Sequence, residues 1–144
     1  MKLYILNGPN LNLLGVREPG LYGTVDYDGL VALIQKECDA LGVQVRFYQS
    51  NHEGDLVDAI QAARLDCDGI VLNPGAYTHT SIAILDALKA VALPAAEVHI
   101  TDINQREEFR KVSYAGMACQ AHFIGQGLAG YLNAVRWLAG GSEQ

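Results

Sequence analysis

Residues 3–23, LYILNGPNLNLLGVREPGLYG, join a short apolar run to a long loop, and this junction decides the fold. The run Leu3–Leu6 is typical of a strand buried on both faces of a sheet. The loop Asn7–Gly23 is far longer than the usual strand-to-helix connection of about 2–6 residues, and it carries one cation, Arg17, and one phenol, Tyr22. A plain surface loop is the alternative. Because the loop leaves the carboxyl end of a strand, where α/β sheets place their sites, we interpret it as a functional lid.

The rest of the chain alternates short apolar runs with segments of helical periodicity. Apolar residues repeat at helical spacing up to Leu41, and Gly42 stands where a helix commonly ends in the left-handed conformation. The segment Ile82–Leu93 is apolar around nearly its whole circumference and is followed by Pro94. This pattern predicts a helix buried on several sides or packed against another subunit. Further strands are predicted at Val43–Tyr48, Gly69–Leu72, Ala95–Ile100 and Ala121–Ile124, and further helices at 56–63, Arg106–Lys111 and 128–138.

Five apolar strands alternating with helices predict an α/β fold, with helices on both faces of a parallel sheet and a single domain over residues 1–144. Because the connections are short, the favoured topology is a flavodoxin-like three-layer fold with strand order 2-1-3-4-5. In that order the direction of winding switches between strands 1 and 3. The lid is therefore expected beside the turn Asn73–Ser81, which follows strand 3.

The composition limits the partners of the chain. Half of the residues are hydrophobic and only 18% are charged, so part of the exterior is expected to be buried against other subunits. The net charge of −6 disfavours nucleic acid and membrane surfaces, although local arginines can still bind a small anion. No apolar run reaches the roughly 18 residues of a membrane span, and three widely separated cysteines are typical of a reduced interior. We therefore expect a cytoplasmic protein with no nucleic-acid or membrane partner.

One glycine motif is similar to a nucleotide-binding fingerprint. Residues 125–130, GQGLAG, follow a predicted strand and open a predicted helix. The fingerprint also requires a further strand with an acidic residue about 20 positions on, and the chain is too short to contain one. Close packing of strand against helix is the better interpretation. The histidines, His52, His79, His99 and His122, lack metal-ligand spacing, so we predict no cofactor and no metal.

Polar side chains gather at the carboxyl ends of most of the predicted strands. Because these ends meet at one edge of a parallel sheet, such residues are candidates for a common site. Each also has a purely structural interpretation, since asparagines stabilise turns and a histidine at a strand end is often only packed and hydrogen-bonded. The candidates at strand ends are Asn7, Asn10, Asn73, His79, His99 and Thr101, and the loop adds Arg17 and Tyr22.

Four segments closely resemble type II 3-dehydroquinate dehydratases, in order and with the spacing of that family. They are residues 5–23, ILNGPNLNLLGVREPGLYG; 49–54, QSNHEG; 70–81, IVLNPGAYTHTS; and 97–101, EVHIT. The resemblance implies a flavodoxin-like fold and the anti elimination of water from 3-dehydroquinate, which gives 3-dehydroshikimate through an enolate without a metal or a Schiff base. It also implies a homododecamer of four trimers that serves the shikimate pathway or the catabolic quinate route.

The resemblance assigns the central chemistry to five residues. By position, Tyr22 resembles the base that removes the proton beside the ketone, and Arg17 resembles the cation that favours its tyrosinate form. A free phenol, with a pKa near ~10, is a poor base at neutral pH unless a nearby cation stabilises its anion. Asn10 resembles the residue that holds the enolate oxygen together with a water molecule. His99 resembles the general acid that protonates the departing hydroxyl, assisted by Asn73.

The resemblance also indicates how the substrate is bound. The substrate carboxylate is expected on the backbone amides of Ile100 and Thr101 and on the Thr101 hydroxyl. His79 and Arg110 match ligands of the ring hydroxyls. The family more often has serine at position 101, and threonine keeps that hydroxyl while adding a methyl group.

Three further positions match residues that support or complete the site. Glu97 matches a residue that orients His99, and Arg106 matches a partner of the lid. Asp86 matches an aspartate that reaches the site of a neighbouring subunit, and a solvated position on an exposed edge is the alternative for it. Leu85 stands where the family frequently has arginine, a departure that bears on subunit contacts or affinity.

Two other classes of protein are alternatives to an enzyme. One is a flavodoxin-type domain that binds a small anion or a nucleotide without catalysis, and the other is an interaction scaffold that keeps the fold without turnover. The binding domain would not require a phenol and an arginine in a lid, and it would tolerate the loss of His99. The full set of matched polar residues favours the enzyme.

Overall fold

The computed structural model describes residues 1–16 and 25–140, which fold around one parallel sheet of five strands. The strands are β1 Lys2–Asn7, β2 Gln44–Gln49, β3 Gly69–Asn73, β4 Ala95–His99 and β5 Ala121–Ile124. Their spatial order is β2-β1-β3-β4-β5, which confirms the predicted flavodoxin-like α/β topology. The α-helices are α1 Tyr27–Leu41, α2 Glu53–Asp66, α3 Ile82–Val91 and α4 Ala129–Leu138. Short 3-10 turns cover Leu11–Leu13, Gly75–His79, Ile103–Gln105, Glu108–Arg110 and Ala115–Ala118.

Alternate side chains of each strand fill two cores on opposite faces of the sheet. Leu3 and Ile5 of β1 belong to the core beneath α1 and α4, whereas Tyr4 and Leu6 belong to the core beneath α2 and α3. This division follows from the two-residue period of a strand. Because both faces are covered, the strands can be continuous apolar runs. All three cysteines are buried and form no disulfide.

The ends of the helices follow from capping residues. The Asp26 carboxylate accepts a hydrogen bond from Gly29 N at 2.8 Å at the start of α1. Gly42 ends the same helix with a φ of 69°, as predicted. Helix α3 ends at Val91, slightly earlier than predicted, because Ala92 adopts a left-handed backbone with a φ of 56°.

The predicted charged helix Arg106–Lys111 is wrong. Only Glu108–Arg110 forms a helical turn, and the turn is of the 3-10 type. So short a segment cannot offset the cost of nucleating an α-helix. The chain beyond it is held instead by a contact distant in sequence, since Tyr114 N donates to Thr78 O at 2.7 Å.

The loop after β1 and the turn after β3 meet at the point where the winding direction switches, as predicted. Gly8 N donates to Asn73 O at 2.8 Å. A side chain at Gly8 is excluded, because a Cβ there would lie 2.2 Å from Pro74 O. In the turn after β3, a Cβ at Gly75 would likewise lie 3.1 Å from Pro9 O of the loop after β1. The two segments are therefore in direct backbone contact.

The glycine motif at residues 125–130 brings α4 close to the sheet. A Cβ at Gly130 would lie 3.4 Å from Val98 Cγ1 and 3.5 Å from Phe123 O, so the helix begins in contact with β4 and β5. Gly125 and Gly127 have left-handed φ angles of 75° and 64°. These contacts favour the packing interpretation of the motif over nucleotide binding.

Helix α3 is not buried all round within the single chain. Ile84 and Leu88 face the core, whereas Asp86 and Lys89 are exposed, together with Ile82, which is 56% exposed. The outer face of α3 is therefore available to a second subunit. None of the helices in the described part of the chain combines the length and the apolar character that a membrane span requires.

Candidate active site

A cleft opens at the carboxyl edge of the sheet, beside the switch point. Its walls come from the loop after β1, the end of β3 with the turn that follows, the end of β4, and the segment 103–110. It is lined by Pro9, Asn10, Leu11, Leu13, Leu14, Asn73, Gly75, Ala76, His79, His99, Ile100, Thr101, Ile103, Arg106 and Arg110. The fold thus gathers most of the predicted site residues, although they lie far apart in the sequence.

His99 lies in the cleft wall and is hydrogen-bonded to Glu97. Glu97 and His99 lie two positions apart on β4, whose carboxyl end forms part of the cleft wall. Their side chains therefore project from the same face of the sheet. Nε2 of His99 lies 2.8 Å from Oε2 of Glu97. His99 is 5% exposed and Glu97 only 1%, so water hardly screens their interaction. A buried carboxylate in this position orients the imidazole.

Three further residues and one glycine surround the Glu97 carboxylate. Ser113 Oγ donates to Oε2 and lies 2.6 Å from Thr78 Oγ1. Nδ1 of His122 lies 2.7 Å from Oε1. A Cβ at Gly116 would lie 2.5 Å from Oε1, so the backbone at this position covers the carboxylate and leaves no room for a side chain. The Glu97 side chain is therefore held on every side.

These hydrogen bonds keep Glu97 ionised despite its burial. Burial by itself would raise the pKa of this carboxyl, but the hydrogen bond and charge of His99, with hydrogen bonds from Ser113 and His122, lower the pKa from 4.5 to about 2. At neutral pH the site consequently holds a fixed anion next to the imidazole in the cleft wall. The imidazole in its protonated form can donate a proton, and the fixed anion holds the ring in place.

Asn73 is fixed at the end of β3 by a buried phenol. Its Nδ2 donates to Tyr131 Oη at 2.8 Å, and its Oδ1 accepts from Gly75 N at 3.1 Å. Tyr131 is fully buried, and its Oη donates to Asn7 Oδ1 at 2.6 Å. Burial raises the pKa of the Tyr131 phenol, so this group stays neutral. The network joins the ends of β1 and β3 at the cleft.

Asn10 is held in the cleft wall by the segment that follows β2. Its backbone is left-handed, with a φ of 71°, which asparagine tolerates better than most residues. Asn10 N donates to Asn51 Oδ1 at 3.0 Å. Gln49 Nε2 donates to Asn51 Oδ1 and to Gly8 O, both at 3.1 Å. Gln49 and Asn51 therefore determine where Asn10 lies.

Two guanidinium groups give the cleft a positive wall. Arg110 Nε lies 3.1 Å from Glu107 Oε1, and Arg106 Nε lies 3.9 Å from the same oxygen. His79, also in the wall, has its Nδ1 2.7 Å from Val112 O. Burial lowers the pKa of His79, and the neighbouring positive groups lower it further against the effect of the Val112 hydrogen bond. His79 is therefore a neutral hydrogen-bonding group, while the arginines suit an anionic ligand.

Of the predicted residues that the structure describes, Asn7, Asp86 and Glu97 do not line this cleft. Arg17 and Tyr22 lie outside the described residues. Asp86 is exposed on α3 and does not line the cleft of its own chain. The role expected for Asp86 would therefore require a neighbouring subunit. Among residues 1–16 and 25–140, no group of three or more His, Cys, Asp or Glu side chains could hold a metal ion.

Several residues fix the site residues in place through hydrogen bonds or close contact, and these residues were not predicted from the sequence. They are Gln49, Asn51, Thr78, Ser113, Gly116, His122 and Tyr131. One signal was available, because a carboxylate predicted in a buried strand requires hydrogen-bond donors. His122 is the register partner of Glu97 on the adjacent strand, and the predicted strand order places these two strands side by side without giving their register. Ser113 and Thr78 belong to irregular segments, and no local pattern indicates their contact.

A cleft at the switch point of an open parallel sheet is where flavodoxin-like proteins bind their ligands. Here that position combines a buried Glu–His pair with two arginines, so the class of protein is an α/β protein of flavodoxin type with acid–base groups at its switch point. Comparison with known sequences gives the family. The family described as Dehydroquinase class II matches residues 1–139. This chain belongs to that family, which confirms the resemblance noted in the sequence.

Individual relatives agree over nearly the whole chain. The 3-dehydroquinate dehydratase of Lachnospira eligens is 51% identical over 137 residues, which cover 94% of this chain and 93% of the relative. The crystal structure of type II dehydroquinase from Butyrivibrio crossotus superposes with a TM-score of 0.94 at 49% identity, covering 96% of this chain and 97% of that one. A 3-dehydroquinate dehydratase-like protein from Bifidobacterium longum is more distant, with a TM-score of 0.72 at 26% identity over 97% of this chain and 96% of that one.

Proposed function

We propose that the chain is a lyase of the shikimate pathway that removes water from 3-dehydroquinate and forms 3-dehydroshikimate. Membership of the family and the name of a relative about half identical over nearly the whole chain support this activity. The structural observation that carries the proposal is the buried Glu97–His99 pair in the cleft wall. Loss of a hydroxyl group requires a proton donor, and the pair supplies one beside a cationic wall whose positive potential favours an anionic substrate.

The first step is removal of the proton from the carbon beside the ketone, which leaves an enolate. We assign the base to Tyr22 and the stabilisation of its phenolate to Arg17, on the basis of the family resemblance. Asn10 lies in the cleft wall, and we assign it, with a bound water molecule, to the enolate oxygen. A donor held in place before the reaction stabilises the negative charge as it grows on that oxygen.

The second step is expulsion of the hydroxyl group by the enolate. The electron pair of the enolate forms the conjugated double bond, the carbon–oxygen bond breaks, and His99 gives its proton to the departing oxygen, which leaves as water. Glu97 stabilises the imidazolium before the transfer and keeps the ring in one orientation. Asn73 is assigned to assist at the same oxygen, because its side chain is fixed in the cleft wall.

Binding of the substrate is assigned to the remaining residues of the cleft wall. The carboxylate is assigned to the backbone amides of Ile100 and Thr101 and to the Thr101 hydroxyl, at the end of β4. His79, as a neutral hydrogen-bonding group, and Arg110 are assigned to the ring hydroxyls. Arg106, which lies on the same side as Arg110, is assigned as the partner of the lid.

We propose that the reaction uses neither a Schiff base nor a metal. A Schiff base requires a lysine amine at the ketone of the substrate. The chain has four lysines, Lys2, Lys36, Lys89 and Lys111, and none of them lines the described cleft. Proton transfer between the assigned base, the enolate and His99 accounts for the elimination without either group.

We also propose a cytoplasmic homododecamer, built as a tetramer of trimers, in which Asp86 of one subunit reaches the site of the next. The outer face of α3 supports this assembly, because it exposes Ile82 beside Asp86. The low fraction of charged residues supports it as well. Leu85, where the family frequently has arginine, is only 9% exposed within the single chain.

The experiment that tests the function is direct. Purified protein mixed with 3-dehydroquinate should produce the ultraviolet absorbance of a conjugated enone. His99→Asn should lower kcat by roughly 10²-fold or more, as expected for a general acid. His52→Asn is the matched control, since His52 is exposed at the start of α2 and does not line the described cleft, and asparagine is a good N-cap. Enone formation that is absent, or is equal in both variants, would favour a non-catalytic binding domain.

A further inference from the structure

We propose that His122 is a positioning residue for the general acid. By donating a hydrogen bond to Oε1 of Glu97, it fixes the carboxylate and thereby sets how readily His99 releases its proton. This inference rests on the proposed dehydration of 3-dehydroquinate.

The geometry places His122 directly behind the acid–base pair. His122 and Glu97 are Cα partners in the pairing of β5 with β4. Nδ1 of His122 lies 2.7 Å from Glu97 Oε1, and the carboxylate can only accept, so this nitrogen is the donor. The His122 side chain is 44% exposed, whereas the Glu97 side chain is 2% exposed. One end of the contact therefore reaches the molecular surface while the other lies in the interior.

The two carboxylate oxygens of Glu97 have different numbers of hydrogen-bond donors. Oε2 accepts from Ser113 Oγ and from His99 Nε2. Among the described residues, Oε1 has one hydrogen-bond partner, which is His122. Gly116 closes the space beside Oε1, so no other side chain of that turn can take over. Loss of the imidazole would leave half of a buried anion without a donor, which is a costly arrangement.

Groups from four segments face the Glu97 carboxylate. His99 belongs to the same strand, His122 to β5, Thr78 to the turn Gly75–His79, and Ser113 to the irregular segment before Ala115. Cys119 follows that last turn, and burial together with the Glu97 charge raises the pKa of its thiol to about 12, so it stays neutral. The two imidazoles are consequently the partners of Glu97, within the described part of the chain, that can bear positive charge.

Because two imidazoles share one carboxylate, the hydrogen bond from His122 affects how readily His99 releases its proton. When Oε1 has a donor, part of the anionic charge is drawn away from Oε2, and His99 can release its proton to the departing hydroxyl more readily. Without that donor the charge is concentrated on the His99 side, and the imidazolium holds its proton more strongly. Neither Glu97 nor His122 lines the cleft, so substrate binding should change little.

The test compares two substitutions at His122. His122→Asn keeps a donor close to the position of Nδ1, whereas His122→Val removes it and suits a strand. We expect the valine variant to lose about tenfold in kcat, the scale of a hydrogen bond to a charged group, with KM changed less than about twofold. The alkaline limb of its pH–rate profile should move to higher pH. The asparagine variant should keep kcat within about threefold of the parent, and both limbs of its profile should stay in place.

Gln44→Val is the matched control, because it places the same residue on the other edge strand, at an exposed position far from the cleft. Equal losses in the asparagine and valine variants, or a loss confined to KM and thermal stability, would make His122 a purely structural residue and overturn the proposal. Unchanged kcat in the valine variant would overturn it as well.

A second readout separates this proposal from the proposed function. The proton on His99 Nε2, which faces the carboxylate, should be observable by NMR in the unliganded protein. His122→Val should shift that resonance, and His122→Asn should leave it close to the parent. If the parent protein shows no turnover, the proposed function fails, and the NMR comparison still decides whether His122 acts on His99. An unshifted resonance in the valine variant would refute the coupling.

Discussion

Replacement of Glu97 by glutamine isolates the charge of the carboxylate from its shape. The glutamine carbonyl can accept from His99 and Ser113, and its amide can donate to a neutral His122. No void is created, and no buried polar group is left without a partner. The difference between the parent and Glu97→Gln therefore reports on the negative charge itself.

The magnitude follows from the pKa of Glu97. A pKa lowered from 4.5 to about 2 means that the folded protein favours the ionised form by about 3 kcal/mol, at about 1.4 kcal/mol for each tenfold change in proton affinity. Because glutamine resembles the protonated acid, the variant should lose about 3 kcal/mol of unfolding free energy at pH 7. The folded-state pKa lies below the unfolded one, so this stability is complete above pH 4.5 and is lost as the pH falls through about 2. The two proteins should thus converge in stability on acidification.

Urea unfolding at one fixed protein concentration, repeated from neutral to acidic pH, measures this convergence. Steady-state kinetics of the same samples should show a kcat lower by roughly 10²-fold or more, with little change in KM, because Glu97 does not line the cleft. Glu108→Gln is the control, since that side chain is 89% exposed and should change neither quantity. A gap in stability that stays constant down to pH 2, or a large rise in KM, would refute the reasoning.

Four further predictions concern the proposed mechanism and assembly. Tyr22→Phe removes one oxygen and should lower kcat by roughly 10²-fold or more while substrate still binds; a loss of less than about tenfold in kinetic assays would exclude Tyr22 as the base. In a partly active Arg17→Met variant, the rising limb of the pH–rate profile should move to higher pH, because the phenolate loses its cation, and an unmoved limb would contradict that role. Borohydride added with substrate should leave the protein active and its mass unchanged, whereas a covalent adduct in mass spectrometry would reveal an imine. Asp86→Ala should give a smaller assembly by light scattering together with a higher KM, and an unaltered mass and KM would make Asp86 an ordinary surface residue.

The sheet and its switch point could be predicted because they depend on patterns within short segments. The apolar runs around Leu3–Leu6 and Gly69–Leu72 bury both faces of a strand, and the helical stripe ending at Gly42 carries its own stop signal. The segment after Thr101 could not be predicted in this way. Its conformation is imposed by contacts distant in sequence, such as Tyr114 N to Thr78 O, and not by any local periodicity.

The same distinction applies to the site. Residues at the carboxyl ends of strands, such as Asn73 and His99, could be brought together by topology alone. Their roles came from family resemblance, since a polar residue at a strand end does not reveal what it binds. The groups behind them, including Tyr131 and Ser113, act through hydrogen bonds across the sheet or from an irregular loop. Such contacts require the positions of side chains, which the sequence does not display.

The missing side chain at Gly116 restricts how this sequence can vary. Its φ lies outside the left-handed region, so space alone, and not backbone conformation, demands glycine there. Even alanine would force either the turn Ala115–Ala118 or the Glu97 carboxylate to move, and Gly116 N is itself hydrogen-bonded to Ser113 Oγ, a partner of that carboxylate. The requirement for a correctly placed proton donor therefore constrains Gly116, although this residue does not contact the substrate and belongs to no recognisable motif. Within this turn, the exposed Met117 should accept many substitutions during evolution, whereas its neighbour Gly116 should accept almost none.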